Sequence, residues 1–317
     1  MSSVTVRPIR GEDFAPALAL WNETRPHDPI TARFFKRKIF LDVCFDPDGY
    51  LLAEDENGLC GYVYVVRRLR PQDNDNSPMP NEGWINGFGY LPTAPADTAE
   101  KLLAAAEEFA KAKGLVKLSA TPYSPFYFTQ GFDVKYEGHY IDAFLASGYT
   151  VRDESYARDI DLLSYTVPED VRAARIAAEA DGFGFGPMTD DLLIPFWNYM
   201  NEHQSPAWRI RIRELMYDND DYGRIRVVTY GGEVIGFCVF HDPDGSPERF
   251  GPYGVRPDFR GRKLGQILLA DCLLEMKKRG LHNAWMQWTS TGGAAHFVYE
   301  KAGFRITRAH AIVHKTL

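Results

Sequence analysis

The chain contains an internal repeat, and this repeat limits the folds that each half can adopt. Four positions near the N-terminus recur 179 residues later. The matched pairs are Pro8 with Pro187, Pro16 with Pro195, Asn22 with Asn201, and Glu23 with Glu202. A length of 317 residues suits two domains of about 150 residues each. We therefore expect a duplicated domain rather than one large domain.

Each copy shows the same order of signals: helix, hairpin, strand, turn, helix, strand, helix and strand. Polar, glycine-bearing turns at 56–58 and 231–233 predict the hairpins. Amphipathic stretches at 99–113 and 264–279 predict helices, and each stretch is followed by a glycine that ends the helix. This mixture predicts an α/β fold (α+β mixed), with a twisted sheet covered by helices.

The domain boundaries follow from the repeat and from composition. We expect a first domain at 1–165 and a second at 183–317. The segment 166–182 between them is alanine-rich and charged, which is typical of a linker region.

The segment 254–265 is a glycine- and arginine-rich turn between an apolar, aromatic stretch and an amphipathic helix. Backbone N–H groups of such a turn, together with those of the helix's first turn, suit phosphate oxygens. Glycine lets the backbone approach a ligand, and arginine or lysine adds full positive charge. Neither a Walker A loop nor a G-x-G-x-x-G dinucleotide motif is present. The candidate phosphate-binding residues are Arg260, Gly261, Arg262, Lys263 and Gly265.

Two segments carry a resemblance to a known family. The pattern V-x-P-x-x-R-G-x-x-(L/I)-G is matched by Val255, Pro257, Arg260, Gly261, Leu264 and Gly265. It resembles the acyl-CoA-binding signature of the GNAT superfamily of N-acetyltransferases, although Lys263 stands where that family usually has glycine. Downstream, residues 295–304 resemble the family's A-x-x-x-Y-E-K-x-G-F helix and turn, with Gly292 where asparagine is frequent.

The resemblance implies two tandem GNAT-like domains, each a twisted, mostly antiparallel mixed sheet flanked by helices, with the fourth and fifth strands splayed apart. It implies an acyltransferase that uses acetyl-CoA as co-substrate and moves the acetyl group to a primary amine by direct attack. Val255 and Leu264 join the cofactor-binding residues on this basis, and the backbone N–H near Val255 would hold the thioester carbonyl. Tyr299 would protonate the departing sulfur, and Glu248 would accept the proton of the amine.

Several of these residues have alternative interpretations. Tyr299 also fits an ordinary core aromatic at the end of a helix. His296, one turn earlier on the same face, either tunes Tyr299 or is a plain surface or core histidine. His241 and Asp242 compete with Glu248 for the role of general base, although Asp242 begins a sequence typical of a turn.

The first copy departs from the second where the chemistry is expected. Opposite the phosphate turn it has residues 94–99, which contain neither glycine nor arginine. Opposite Tyr299 it has Phe144, which lacks a hydroxyl. We therefore expect cofactor binding in the C-terminal copy alone. The aromatic insertion 121–136 fits core packing better than a lid.

Charge and composition exclude several classes. A net charge of −7 argues against a nucleic-acid partner, because such proteins need a basic face. No apolar run is long enough for a membrane span, and no paired metal-ligand motif occurs. The four cysteines lie far apart in apolar surroundings, as expected of buried thiols in a reducing, cytoplasmic compartment.

The acceptor and the oligomeric state stay open. We expect a small-molecule or peptide amine as partner, and a monomer or homodimer. Length and duplication are also similar to mycothiol synthase, a tandem enzyme that acetylates a cysteinyl amine. A non-catalytic acyl-CoA-binding or regulatory module is the alternative from another class.

Overall fold

A computed structural model describes residues 3–67, 81–123, 129–218, 222–241 and 246–317. The chain divides into two compact units. One consists of Met1–Ser155 together with Ala309–Leu317, and the other is Tyr156–Arg308. The boundary thus falls ten residues before position 165, where the sequence pattern placed it, and the last nine residues return to the first unit.

The first unit is a mixed sheet with helices packed on it. Its elements are β1 (Thr5–Pro8), α1 (Phe14–Thr24), α2 (Ala32–Phe35), β2 (Tyr50–Asp55), β3 (Gly58–Arg67), β4 (Glu82–Tyr90), α3 (Thr98–Ala112), β5 (Lys117–Ala120), β6 (Phe132–Asp133), α4 (Gly138–Ala146) and the start of β7 (Thr150–Asp161). Strands β1 to β4 pair antiparallel in sequence order, and β5 pairs with β4 in parallel. The C-terminal residues 313–316 complete the sheet by pairing antiparallel with β5.

The second unit repeats this plan. Its elements are the end of β7, α5 (Glu169–Ala180), β8 (Phe183–Pro187), α6 (Leu193–His203), α7 (Pro206–Asp218), β9 (Ile225–Tyr230), β10 (Glu233–Phe240), β11 (Phe250–Val255), α8 (Leu264–Lys278), β12 (Asn283–Thr289), α9 (Gly293–Ala302) and the start of β13 (Arg305–Thr316). Strands β8 to β11 form a four-stranded antiparallel sheet, and β12 pairs antiparallel with β7. The mixed α/β architecture predicted from the repeat is confirmed.

The repeat is visible in the element bounds. Helix α6 begins and ends 179 residues after α1, the same offset that relates the matched prolines. The hairpin between β9 and β10 turns on Gly231 and Gly232, whose φ angles are 58° and 84°. Two residues with positive φ make the turn whose twist suits a hairpin, and glycine adopts it without a Cβ penalty.

The segment predicted as a linker, 166–182, is mostly the helix α5. Val171, Ala174 and Ala178 recur at helical spacing and pack into the core of the second unit. Arg175 donates to Asp271 of α8 at 2.9 Å, which fixes the outer side of the helix. The alanine content that suggested a linker is thus the small-residue face of a packed helix.

The four cysteines are buried, as their apolar surroundings predicted. Cys44, Cys60, Cys238 and Cys272 are all buried free thiols. Within the described ranges, no helix combines the length and the apolar character that crossing a bilayer requires.

Candidate functional site

A cavity of about 650 Å³ opens between the end of β11 and the beginning of α8. This volume lies in the range of small-molecule and cofactor sites. Six of the seven predicted cofactor-binding residues line it, namely Val255, Arg260, Gly261, Lys263, Leu264 and Gly265. The seventh, Arg262, does not: its guanidinium lies 5.9 Å from the ring centroid of Phe183.

The turn before α8 has the backbone shape that a phosphate cradle needs. Gly261 and Lys263 adopt left-handed conformations, with φ angles of 82° and 59°. Lys263 is the residue just before the helix, and Leu264 and Gly265 begin it. The first N–H groups of a helix carry partial positive charge. The Gln266 N–H already donates to the Lys263 carbonyl at 2.9 Å, which leaves those of Leu264 and Gly265 at the helix start. They therefore offer the cavity a set of donors for an anion.

The left-handed position explains the family's preference for glycine where this chain has Lys263. A residue with a Cβ pays about 1–2 kcal/mol for that conformation, whereas glycine pays almost nothing. A lysine kept at a strained position of a candidate site suggests that its side chain has a role. Its ammonium group donates to Oδ2 of Asp170 at 2.8 Å.

Arg260 differs from the other cations around the turn. Arg256 lies in ion pairs with Asp258 and Glu233, at 2.8 and 2.9 Å. Arg260 is exposed, lines the cavity, and is close enough to Tyr199 to lower the pKa of that hydroxyl, which burial raises more strongly. The Arg260 guanidinium can therefore bind an anion in the cavity, near the end of β11.

The register of β11 leaves backbone donors on its open side. Arg256 donates to Ile235 of β10 at 2.8 Å, and the next pair along the ladder joins Val255 to Gly236. Hydrogen-bonded and non-hydrogen-bonded pairs alternate in an antiparallel ladder. The N–H of Val255, and that of Tyr253 two residues earlier, therefore point away from β10 towards the side of β12.

Strands β11 and β12 meet only at the start of β11 within the described residues. Trp285 donates to the carbonyl of Glu248 at 3.0 Å, and Arg249 bridges to Trp285 in parallel. A register shift in β11 between Phe250 and Tyr253 then forms a bulge. The stretch contains glycine and proline, which suit a bulge. Among the described residues, no pairing of β11 with β12 follows it.

Helix α6 makes a hydrogen bond to β11 that the sequence did not predict. The hydroxyl of Tyr199 on α6 donates to the carbonyl of Gly254 at 3.0 Å, and Gln204 donates to Tyr199 at 2.7 Å. His203, Gln204 and Trp208 also line the cavity, where α6 gives way to α7. These side chains form another part of its wall. In the sequence, these residues could be recognised only as polar and aromatic positions at the end of an amphipathic helix.

The two predicted catalytic residues do not line this cavity. Glu248 lies seven residues before Val255, at the closed end of the gap between β11 and β12. Tyr299 is half-buried on α9, and its ring centroid is 5.7 Å from that of Tyr253, which does line the cavity. Burial raises the pKa of the Tyr299 hydroxyl, and the charge of Arg158 opposes that rise.

His296 does not bond to Tyr299, which was one of its predicted roles. Its Nδ1 accepts a hydrogen bond from Arg158 at 2.7 Å, and its Nε2 lies 3.4 Å from Glu300. Arg158 is fully buried and also donates to the Thr289 hydroxyl and the Ser290 carbonyl, at 3.0 and 3.2 Å. This network ties the end of β12 to the beginning of α9.

Of the two alternative general bases, His241 and Asp242, the structure describes only His241. His241 has a positive φ of 73°, and its N–H donates to the carbonyl of Arg249 at 2.8 Å, the residue that follows Glu248. Asp242 lies outside the described residues. Across the described ranges, no group of three or more His, Cys, Asp or Glu side chains is arranged to hold a metal ion.

The matching region of the first unit is built differently. At the start of α3 stands Asp97, paired with Lys101 at 2.8 Å, so the helix begins with a carboxylate rather than arginine. Phe144 is completely buried in the core. Strand β4 pairs with β5 at residues 82–84. Further along β4, the Thr129 hydroxyl donates to the Asn86 carbonyl at 3.3 Å. The described part of the insertion 121–136 is thus mainly packed against the core, and residues 124–128 lie outside the description.

Comparisons with known proteins agree with this geometry. The sequence profile of the Acetyltransferase (GNAT) family matches residues 189–304. No curated protein sequence matches the chain significantly.

Solved structures share the fold at low sequence identity. A fungal multi-domain GH3 beta-N-acetylglucosaminidase with a GCN5-related glucosamine N-acetyltransferase region superposes at a TM-score of 0.78 and 17% identity, covering 99% of this chain. This chain spans only 38% of that fungal protein. A GCN5-related N-acetyltransferase from Sphaerobacter thermophilus reaches 0.70 at 14% identity, covering 99% and 95% of the two chains. A tandem GNAT protein from the clavulanic acid biosynthesis pathway reaches 0.66 at 13% identity, covering 99% and 98%.

The fold is therefore that of a tandem GNAT protein, with a GNAT-like unit in each half of the chain. The region that matches the Acetyltransferase (GNAT) family profile lies in the second unit and includes β11, the phosphate turn, α8 and α9.

Proposed function

We propose that the chain is an acetyl-CoA-dependent N-acetyltransferase whose second unit transfers an acetyl group to a primary amine of a small molecule or peptide. The observation that supports this most is the single cavity that joins the phosphate turn to the open side of β11. A pyrophosphate needs the donors of the turn and helix, and an extended amide chain needs unpaired strand donors. The phosphate turn and the open side of β11 both line this cavity.

The residues present fit coenzyme A. First-turn N–H groups of α8 and the side chain of Arg260 would bind phosphate oxygens. The N–H groups of Tyr253 and Val255 would bind carbonyl oxygens of the pantetheine arm and the acetyl group. When bound, acetyl-CoA supplies the thioester that is cleaved.

The reaction needs a neutral amine, a polarised carbonyl and a protonated leaving group. The amine nitrogen bonds to the acetyl carbon, the carbon–sulfur bond breaks, and the sulfur leaves as a thiol. Glu248, at the closed end of the gap, would take the amine proton directly or through water. Tyr299 would give the sulfur its proton, and its raised pKa keeps that proton in place at working pH.

The test is release of free thiol from acetyl-CoA in the presence of an amine panel. The panel should include glucosamine, because one structural relative contains a glucosamine N-acetyltransferase region, together with polyamines, a cysteinyl glycoside and a peptide with a free N-terminus. Thiol release that depends on one amine supports the proposal. Its absence with every class of amine, while acetyl-CoA binds, supports the second candidate.

That second candidate is an acyl-CoA-binding module without chemistry. It is favoured by one observation: neither Tyr299 nor Glu248 lines the cavity that the phosphate turn forms.

A further inference from the structure

Two lysines from different parts of the second unit share a single carboxylate oxygen. Oδ2 of Asp170 accepts from Lys263 at 2.8 Å and from Lys301 at 2.5 Å. Asp170 lies at the start of α5, Lys263 in the phosphate turn and Lys301 at the end of α9. All three side chains are between 41% and 45% exposed, so a ligand can reach them from solvent.

The charges of this cluster do not balance. Two ammonium groups face one carboxylate, so the three side chains carry a net charge of +1. Hydrogen bonds from Lys263 and Lys301 lower the pKa of Asp170 to about 2. A phosphomonoester carries about −1.5 to −2 at neutral pH and has three acceptor oxygens. It would satisfy two ammonium groups better than one carboxylate does.

The cluster also lies beside the cavity described above. Lys263 lines that cavity, and Lys301 lines a small adjoining pocket between α5, α8 and α9. Gln266 and Val298 line both, so the two spaces are neighbours. The buried side-chain oxygen of Gln266 has no hydrogen-bond partner among the described residues. A ligand whose pyrophosphate lies on the start of α8 would therefore place its next polar groups towards Lys263 and Lys301.

We propose that Lys263 and Lys301 form a phosphomonoester subsite for the ribose 3′-phosphate of coenzyme A, and that Asp170 occupies this subsite until the cofactor displaces it. The inference depends on the proposed function, because it assumes that coenzyme A binds at the phosphate turn. It gives a reason for a lysine at the left-handed position 263, where glycine would be unstrained. It also gives α5 a role in setting cofactor affinity.

The experiment measures the dissociation constants of coenzyme A and 3′-dephospho-coenzyme A by calorimetry at about 0.1 M salt. The wild-type chain should bind coenzyme A about tenfold more tightly, equivalent to about 1.4 kcal/mol. Lys301→Gln should remove this preference and leave the affinity for the dephospho form unchanged. Asp170→Asn should tighten coenzyme A severalfold without affecting the dephospho form, since the competing carboxylate is gone.

The control is Lys278→Gln, which makes the same charge change at the other end of α8. A helix of 15 residues places it about 20 Å away, beyond the Debye length of about 10 Å at 0.1 M salt. It should change neither constant. Misfolding cannot imitate the expected result, because Asp170→Asn and Lys301→Gln act in opposite directions.

Equal affinity of the wild-type chain for the two ligands would overturn the subsite while leaving cofactor binding intact. Weaker binding of coenzyme A by Asp170→Asn would overturn the displacement of the carboxylate. Failure of both ligands to bind the wild-type chain would instead overturn the proposed function, and the subsite with it.

Discussion

The guanidinium of Arg158 donates a hydrogen bond of 2.7 Å to Nδ1 of His296, and this contact joins β7 to the helix that carries Tyr299. Because Nδ1 accepts, the ring proton of a neutral His296 resides on Nε2, which faces Glu300. Arg158 is completely buried, and its acceptors, the Thr289 hydroxyl, the Ser290 carbonyl and a neutral His296, are uncharged. Burial raises the pKa of the nearby Tyr299 hydroxyl, and the charge of Arg158 offsets part of that rise.

Replacement of Arg158 should destabilise the second unit. Arg158→Met leaves the Thr289 hydroxyl, the Ser290 carbonyl and His296 without their donor, which should cost about 3 kcal/mol of unfolding free energy. Denaturant unfolding measures the loss. Arg172→Met is the matched control, since that arginine is 62% exposed and should change stability by less than about 0.5 kcal/mol. Equal effects of the two variants would contradict the buried network.

Tyr299→Phe should lower kcat by about 10²-fold while leaving acetyl-CoA affinity unchanged, if the hydroxyl is the general acid. Thiol release measures kcat, and calorimetry measures binding. Tyr217→Phe is the control, because that side chain is 86% exposed. An unchanged kcat would remove Tyr299 from the mechanism.

The pH profile tests the state of the same hydroxyl. A general acid must be protonated to act, and burial raises the pKa of Tyr299 above its ordinary range. The proton is therefore lost only at pH values higher than those that titrate a free phenol. The wild-type kcat should show no falling limb from this residue up to about pH 10. A falling limb at or below that pH, absent in Tyr299→Phe, would show that the hydroxyl titrates at its ordinary value.

Local signals accounted for much of the fold and for the phosphate turn. The hairpin glycines, the bulge in β11 and the helix that begins at Leu264 all depend on residues close in sequence. Such signals act through backbone conformation, which neighbouring residues dictate. Helix α5 was recoverable as well, because Val171, Ala174 and Ala178 have helical spacing, but its alanine and charge content was interpreted as a linker.

The remaining parts depend on contacts between distant residues. Asp170 meets Lys263 and Lys301 across 93 and 131 positions, and Arg158 meets His296 across 138. No periodicity or motif encodes such pairings, since each depends on how whole elements pack. Tyr299 lies on α9 and Glu248 just before β11, yet neither lines the cavity, because the lining depends on how these elements pack.

Gly265 provides a test of ligand approach that is separate from folding. A Cβ at this position would meet Tyr253 at 3.7 Å, an ordinary van der Waals distance, so the fold itself accepts alanine. Gly265→Ala should unfold at nearly the same temperature as wild type and bind acetyl-CoA more weakly. Gly265→Asp should abolish binding, because it adds a negative charge where phosphate is expected. Tight binding by Gly265→Asp would place the cofactor elsewhere.

Lys263 allows backbone strain to be measured directly. Lys263→Gly and Lys263→Ala both remove the ammonium group and its contact with Asp170. They differ in the left-handed φ of 59°, which glycine adopts freely and alanine does not. The glycine variant should therefore be more stable by about 1 kcal/mol in denaturant unfolding. Equal stabilities would mean that the turn relaxes to another conformation when the lysine is lost.

Calorimetric stoichiometry distinguishes the two units. The second unit has the turn, the helix donors and the open strand side, whereas in the first unit Asp97 stands at the helix start and Thr129 is bonded to β4. A carboxylate at a helix N-terminus repels a phosphate. The Thr129 side chain, which donates to the Asn86 carbonyl, occupies the part of the β4 edge that a pantetheine arm would need. The wild-type chain should thus bind one acetyl-CoA, and Gly265→Asp should bind none. A ratio of two, or one residual site in Gly265→Asp, would show that the first unit has kept a cofactor site of its own.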